Sequence, residues 1–92
     1  MALDFMPYTE SFDDRRDIVR FMGWDGGRWV KCGVKRDALL KAARVPQAGG
    51  MDLIKLYRKY KAPIQALVCA KFRSSRLEDD GLVLVDSADF GF

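Results

Sequence analysis

Ninety-two residues with 49% hydrophobic, 12% aromatic and 32% charged side chains make one small domain spanning 1–92, because a second core would have to be built from fewer than about 50 residues. The balance of apolar and charged residues excludes intrinsic disorder, and the absence of histidine excludes Ser-His-Asp and Cys-His catalysis and His-ligated metals within one chain. The net charge of +3 hides a segregation: residues 1–26 sum to −3, residues 27–76 to +11 and residues 77–92 to −5. Either the acidic ends fold back on the basic middle, or the middle is left as a positive face for an anionic partner.

In chain order, residues 2–5 read as a short edge strand stopped by Pro7, which has no amide donor. Ile18, Val19 and Phe21 bring β-branched and aromatic residues together, and Asp25-Gly26-Gly27 supplies a turn before Arg28–Val34. The two runs predict a hairpin with Val30, Cys32 and Val34 on its core face and Trp29 and Lys31 opposite. Asp37–Arg44 consists of good helix formers and stops before Pro46. A longer amphipathic helix starts near Met51, with Leu53, Leu56, Tyr57, Tyr60, Ile64, Leu67 and Val68 at three- and four-residue steps and Lys55, Arg58 and Lys59 on the other side. Pro63 lies within this stripe and predicts a kink near Ala62. An acidic link, Glu78-Asp79-Asp80-Gly81, leads to a buried strand at Leu82–Val85. The order β-β-α-α-β predicts an α+β domain, a small and mainly antiparallel sheet with two helices packed on one face.

Several of these segments together resemble a family of short bacterial proteins, domain of unknown function 1488. They are Ser11-Phe12-Asp13, Ile18-Val19-Arg20-Phe21, Val30-Lys31-Cys32-Gly33-Val34, Asp37-Ala38-Leu39, Leu56-Tyr57, Ile64, Lys71-Phe72, Asp80-Gly81-Leu82-Val83-Leu84 and Asp89-Phe90. The resemblance spans nearly the whole chain and implies a compact α+β domain of the bacterial cytoplasm, with no activity to carry over. One departure stands out: Lys35 occupies the position where the family commonly has a Ser-type cap, so the first turn of the first helix is expected to fray.

No motif carries chemistry. The glycine turns at 23–27 and 49–50 fit neither phosphate-binding pattern, and Asp89-Phe90-Gly91 copies a kinase tripeptide without the rest of a kinase. The pairs Asp13-Asp14 and Asp79-Asp80 read as solvated loop charge, and Ser11, Ser74, Ser75 and Ser87 have no imidazole to activate them. Cys32 and Cys69 read as two buried structural thiols. The longest uncharged apolar stretch, 62–70, is far too short to cross a bilayer, and the N-terminus shows neither signal nor transit character.

The expectation is therefore a cytoplasmic, non-enzymatic binding module with no cofactor and no metal. It would act on a protein partner or a second copy of itself through sheet edges or the aromatics Trp24 and Trp29. The alternative is nucleic-acid binding through Lys55, Arg58, Lys59, Arg73 and Arg76. A membrane role ranks last, since the helix needs its apolar face to cover the sheet.

Overall fold

A computed structural model describes residues 3–90; Ala2 of the predicted edge strand and Gly91 of the kinase-like tripeptide lie outside them. The predicted hairpin is the centre of the sheet. Strands β3 (Ile18–Trp24) and β4 (Trp29–Lys35) pair antiparallel along their full length, Ile18 opposite Lys35 and Trp24 opposite Trp29. The Asp25 carboxylate closes their loop by accepting the amides of Gly27 (2.9 Å) and Arg28 (2.8 Å). Those amides, with the neighbouring Arg28 side chain, hold its carboxyl below the usual range despite the opposing cost of burial.

Alternation along β3 and β4 sends Val19, Phe21, Val30, Cys32 and Val34 into the core. Two helices cover that face. Helix α1 (Arg36–Ala43) buries Ala38 and Leu39, and helix α2 (Gly50–Arg73) buries Leu53, Ile54, Tyr57, Ile64 and Val68. Leu56, Tyr60 and Leu67 of the predicted stripe are half-buried against it, while Ile54, absent from that stripe, is buried. Tyr57 stacks on Phe21, ring centroids 4.4 Å apart. Lys55, Arg58 and Lys59 stay outside, as the amphipathic pattern requires.

The predicted kink is present but lies earlier than Ala62: Tyr60 leaves helical geometry (φ −109°, ψ 21°). Pro63 has no N–H for the Lys59 carbonyl and its ring crowds that turn, so the distortion falls in the preceding turn. The capless start of α1 is also confirmed, since Lys35 makes no side-chain cap. Its expected fraying is corrected, because the Arg36 amide donates to the Asp17 carbonyl at 3.1 Å and the Arg36 side chain reaches the Asp17 carboxylate at 2.8 Å.

The last strand, β5 (Val83–Val85), lies parallel to β4, so the sheet is mixed, with all its other pairings antiparallel. The strand order differs from the predicted β-β-α-α-β at the front. Strands β1 (Asp4–Phe5) and β2 (Ser11–Asp13) both pair with β3 along one edge, giving the order β1-β3-β4-β5 with β2 beside β3. Gly33 keeps the other sheet face close-packed: a Cβ there would stand 2.9 Å from Ile18 Cδ1 and 3.5 Å from Leu84 Cδ1. Through that approach Ile18, on the face away from the helices, is nevertheless buried.

The acidic ends match part of the basic middle. Glu10 and Asp17 of the first segment meet Arg58 and Arg36, and Asp89 of the last segment meets Lys71, while Lys55, Lys59 and Lys61 stay exposed.

Candidate functional site

The edge formed by β1 and β2 is a single strand interrupted. Pro7 and Tyr8 bulge out between the two pieces, Tyr8 in the left-handed region at φ 62° and 88% exposed, a backbone state that costs a bulky residue about 1–2 kcal/mol. Across the gap the Thr9 hydroxyl accepts from the Met22 amide (3.3 Å) and donates to the Met6 carbonyl (2.9 Å), doing the work of a missing ladder bond. The Met6 amide donates to the Met22 carbonyl at 3.1 Å, so the antiparallel alternation turns the backbone groups of Phe5 away from β3.

Beside this edge lies a cleft of about 520 Å³ between it and α2, within the range of roughly 300–1,000 Å³ usual for small-molecule sites. One wall is the continuous stretch Leu3–Tyr8, and the other is a single helical face, Tyr57, Arg58, Lys61 and Gln65. Glu10 joins the two walls. Its side chain is only 9% exposed, one oxygen taking the Arg58 Nε at 3.2 Å and the other, Oε2, covered and without any hydrogen-bond donor. Buried carboxylate oxygens nearly always have donors, because stripping their water uncompensated costs several kcal/mol. Beside it Gln65 donates to the Tyr57 hydroxyl at 3.1 Å. Burial, only partly offset by that bond, pushes the Tyr57 phenol up to about 12, with the Glu10 charge acting in the same direction. The phenol is a neutral hydrogen-bonding group at physiological pH.

The opposite edge, β5, is covered by side chains. Lys71 Nζ caps the Leu84 carbonyl at 2.6 Å and the Asp89 carboxylate at 2.7 Å, and that carboxylate accepts the Asp86 amide at 2.9 Å. Burial opposes ionisation of Asp89, yet the Lys71 and Asp86 hydrogen bonds and the charges of Lys71 and Arg76 outweigh it and hold the carboxyl below its usual range.

The residues singled out in the sequence scatter over other surfaces. Lys55 and Lys59 are exposed on the outer side of α2, with Lys59 Nζ 5.5 Å from the Tyr60 ring centroid. Arg58 is committed to Glu10. Arg73 and Arg76 are exposed at the end of the helix, and the 18 residues from Lys55 to Arg73 amount to about 27 Å of helix, so the five do not form one patch. Trp24 and Trp29 do meet, edge to face at 4.9 Å on the face away from the helices; Trp29 is 54% exposed and Trp24 only half-exposed. Asp80 of the second acidic pair is bound to Arg16 at 2.9 Å rather than merely solvated. Burial, followed by the proximity of Cys69, pushes the Cys32 thiol up to about 12, leaving it an unreactive packing group. Cys69 is half-buried, not buried as expected. Glu10 went unremarked in the sequence: a lone acid in a polar stretch, its burial comes from a residue 48 positions away.

Comparison with known proteins accords with this architecture. The family model described as "Protein of unknown function (DUF1488)" matches residues 3–85. The chain belongs to the DUF1488 family. A solved structure of a DUF1488 family protein of unknown function from Shewanella loihica PV-4 superposes with a TM-score of 0.83 over 91% of each chain, at 13% identity. At that identity the DUF1488 likeness carries the fold alone. No curated protein matches.

Proposed function

We propose that this DUF1488 protein is a non-enzymatic binding module of the bacterial cytoplasm and that the cleft between β1 and α2 is its binding site. The observation that carries the reading is the Glu10 carboxylate, nine-tenths buried in the wall of a ligand-sized cleft with one oxygen lacking a donor. A bound molecule that donates to it would remove the penalty of the free state and gain affinity from doing so.

The test is a thermal-shift screen of the purified chain against small polar molecules and short peptides, with hits mapped by amide chemical shifts. The expected result is a hit that perturbs Phe5, Glu10, Arg58 and Gln65. A screen without hits, or hits confined to the Trp24–Trp29 face, overturns the cleft.

Nucleic-acid binding is favoured by one observation: Lys55, Lys59 and Lys61 are exposed along one stretch of α2 and form no ion pair among the described residues. It predicts binding of a single-stranded oligonucleotide whose affinity falls steeply as salt rises. No binding at low salt removes it.

A further inference from the structure

The walls of the cleft differ in sign. The strand side presents acceptors, namely the Glu10 carboxylate and the carbonyl of Phe5 that is not used by β3. The helix side presents donors. Arg58, 51% exposed, is in contact with Glu10 through its Nε, and Lys61 stands exposed one helical turn beyond it. One acid therefore faces two cations across the cleft, and the two walls carry opposite signs. A simple cation would be repelled by one wall and a simple anion by the other, whereas a molecule with both charges set apart suits both.

Resting on the reading of this cleft as the binding site, we infer that its ligand is a zwitterion carrying a primary ammonium: the ammonium goes to Glu10 and the carboxylate to Arg58 and Lys61. Charge-assisted donors make the strongest hydrogen bonds to a carboxylate, and an ammonium is the smallest such donor. The terminal torsion of a glutamate is broad, so either oxygen of Glu10 turns toward the lumen at small cost. A divalent metal fits the site poorly: Glu10 offers it one carboxylate, already paired with Arg58, where calcium takes 6–8 oxygen ligands. The outward groups of Phe5 suit a ligand with an amide next to its ammonium, as in β-strand addition. Pro7 and the Tyr8 bulge end the edge after those few residues, which limits the ligand to a free amino acid or a very short peptide.

Amide-detected titration of the full chain with three probes tests this. Glycylglycine carries both charges, glycinamide the ammonium alone and N-acetylglycine the carboxylate alone. Glycylglycine is expected to shift Phe5, Glu10, Arg58 and Gln65 saturably, glycinamide to bind about tenfold more weakly, and N-acetylglycine not to saturate. Free glycine beside glycylglycine separates the two sources of the zwitterion, with preference for the dipeptide expected if the Phe5 edge contributes. Glu10→Gln should weaken glycylglycine at least tenfold, and Lys61→Ala, at an exposed position that leaves the fold alone, should erase the advantage of glycylglycine over glycinamide. Equal binding of N-acetylglycine and glycinamide, or undiminished binding by folded Glu10→Gln, overturns the ammonium assignment. So does silence toward all three probes. If the broader screen then yields a ligand of another class in the same cleft, the site stands and only this assignment falls.

Discussion

The two edges of this sheet solve the same problem in opposite ways. Unpaired strand edges template unwanted association unless something blunts them. At β5 the answer is a buried lysine: Lys71 satisfies a backbone carbonyl and a carboxylate together, and Asp89 accepts a further amide. At β1 and β2 the answer is partial. One hydroxyl stitches the interruption, a tyrosine is held in a costly conformation, and a buried carboxylate oxygen is left without a donor beside a cleft. The pair teaches where to look for binding in a chain with no catalytic motif: the edge whose polar accounting does not close.

The contrast can be broken most forcefully from the core both edges share. Phe21 faces Cys32 toward β5 and stacks on Tyr57 beneath the cleft, so Phe21→Ala should cost about 3–5 kcal/mol, measured by urea denaturation. Equal loss of amide protection at both edges would show that they share one cooperative unit.

Lys71→Met comes next. It strands the Leu84 carbonyl and leaves Asp89, nearly as buried as the lysine, without its cation, for an expected loss of about 2 kcal/mol at pH 7. The pH dependence follows from the depressed Asp89 carboxyl: its contribution is present above the unfolded carboxylate value near 4 and is lost as pH falls through the lower folded value. Denaturation midpoints of Asp89→Asn should accordingly fall less steeply with acid than those of the parent. An unchanged acid limb would mean that the β5 closure carries no ionic component.

Thr9→Val keeps the shape but removes the hydroxyl that bridges Met22 and Met6. About 1 kcal/mol is expected, together with faster hydrogen exchange at the Met22 amide, the signal that locates the loss at the interruption. The smallest effect belongs to Glu10→Gln. Gln retains an acceptor for the half-exposed Arg58 and removes the buried charge whose second oxygen lacks a donor, so the two effects oppose each other and stability should move by less than about 1 kcal/mol while ligand binding collapses. A large destabilisation would instead make Glu10 a structural anchor.

The sequence made the closed half of the molecule legible and left the open half obscure. Ile18–Trp24 and Trp29–Lys35 alternate cleanly around a strong turn, and α2 shows its stripe over about four turns; these patterns are local, so a single chain displays them. Strand β2 has Phe12 alone between Ser11 and Asp13, too short for a period of two to register. The kink was foreseeable from Pro63, but its centre at Tyr60 depends on which carbonyl the ring crowds. Glu10 becomes informative only when Arg58 and Tyr57 are folded over it, a relation that no spacing along the chain encodes. Of the basic residues picked from the helix pattern, Arg58 alone lies in the cleft, and there it is already engaged.

Parallel pairing of β4 with β5 also bears on how the chain is made. The hairpin emerges from the ribosome early, yet its partner arrives only after residues 36–82 have been translated, a wait of several seconds at roughly 5–20 residues per second. For that interval the nascent β4 has a bare flank, and a chaperone acting on this protein would be expected to engage it there, releasing the chain once Val83–Val85 can dock.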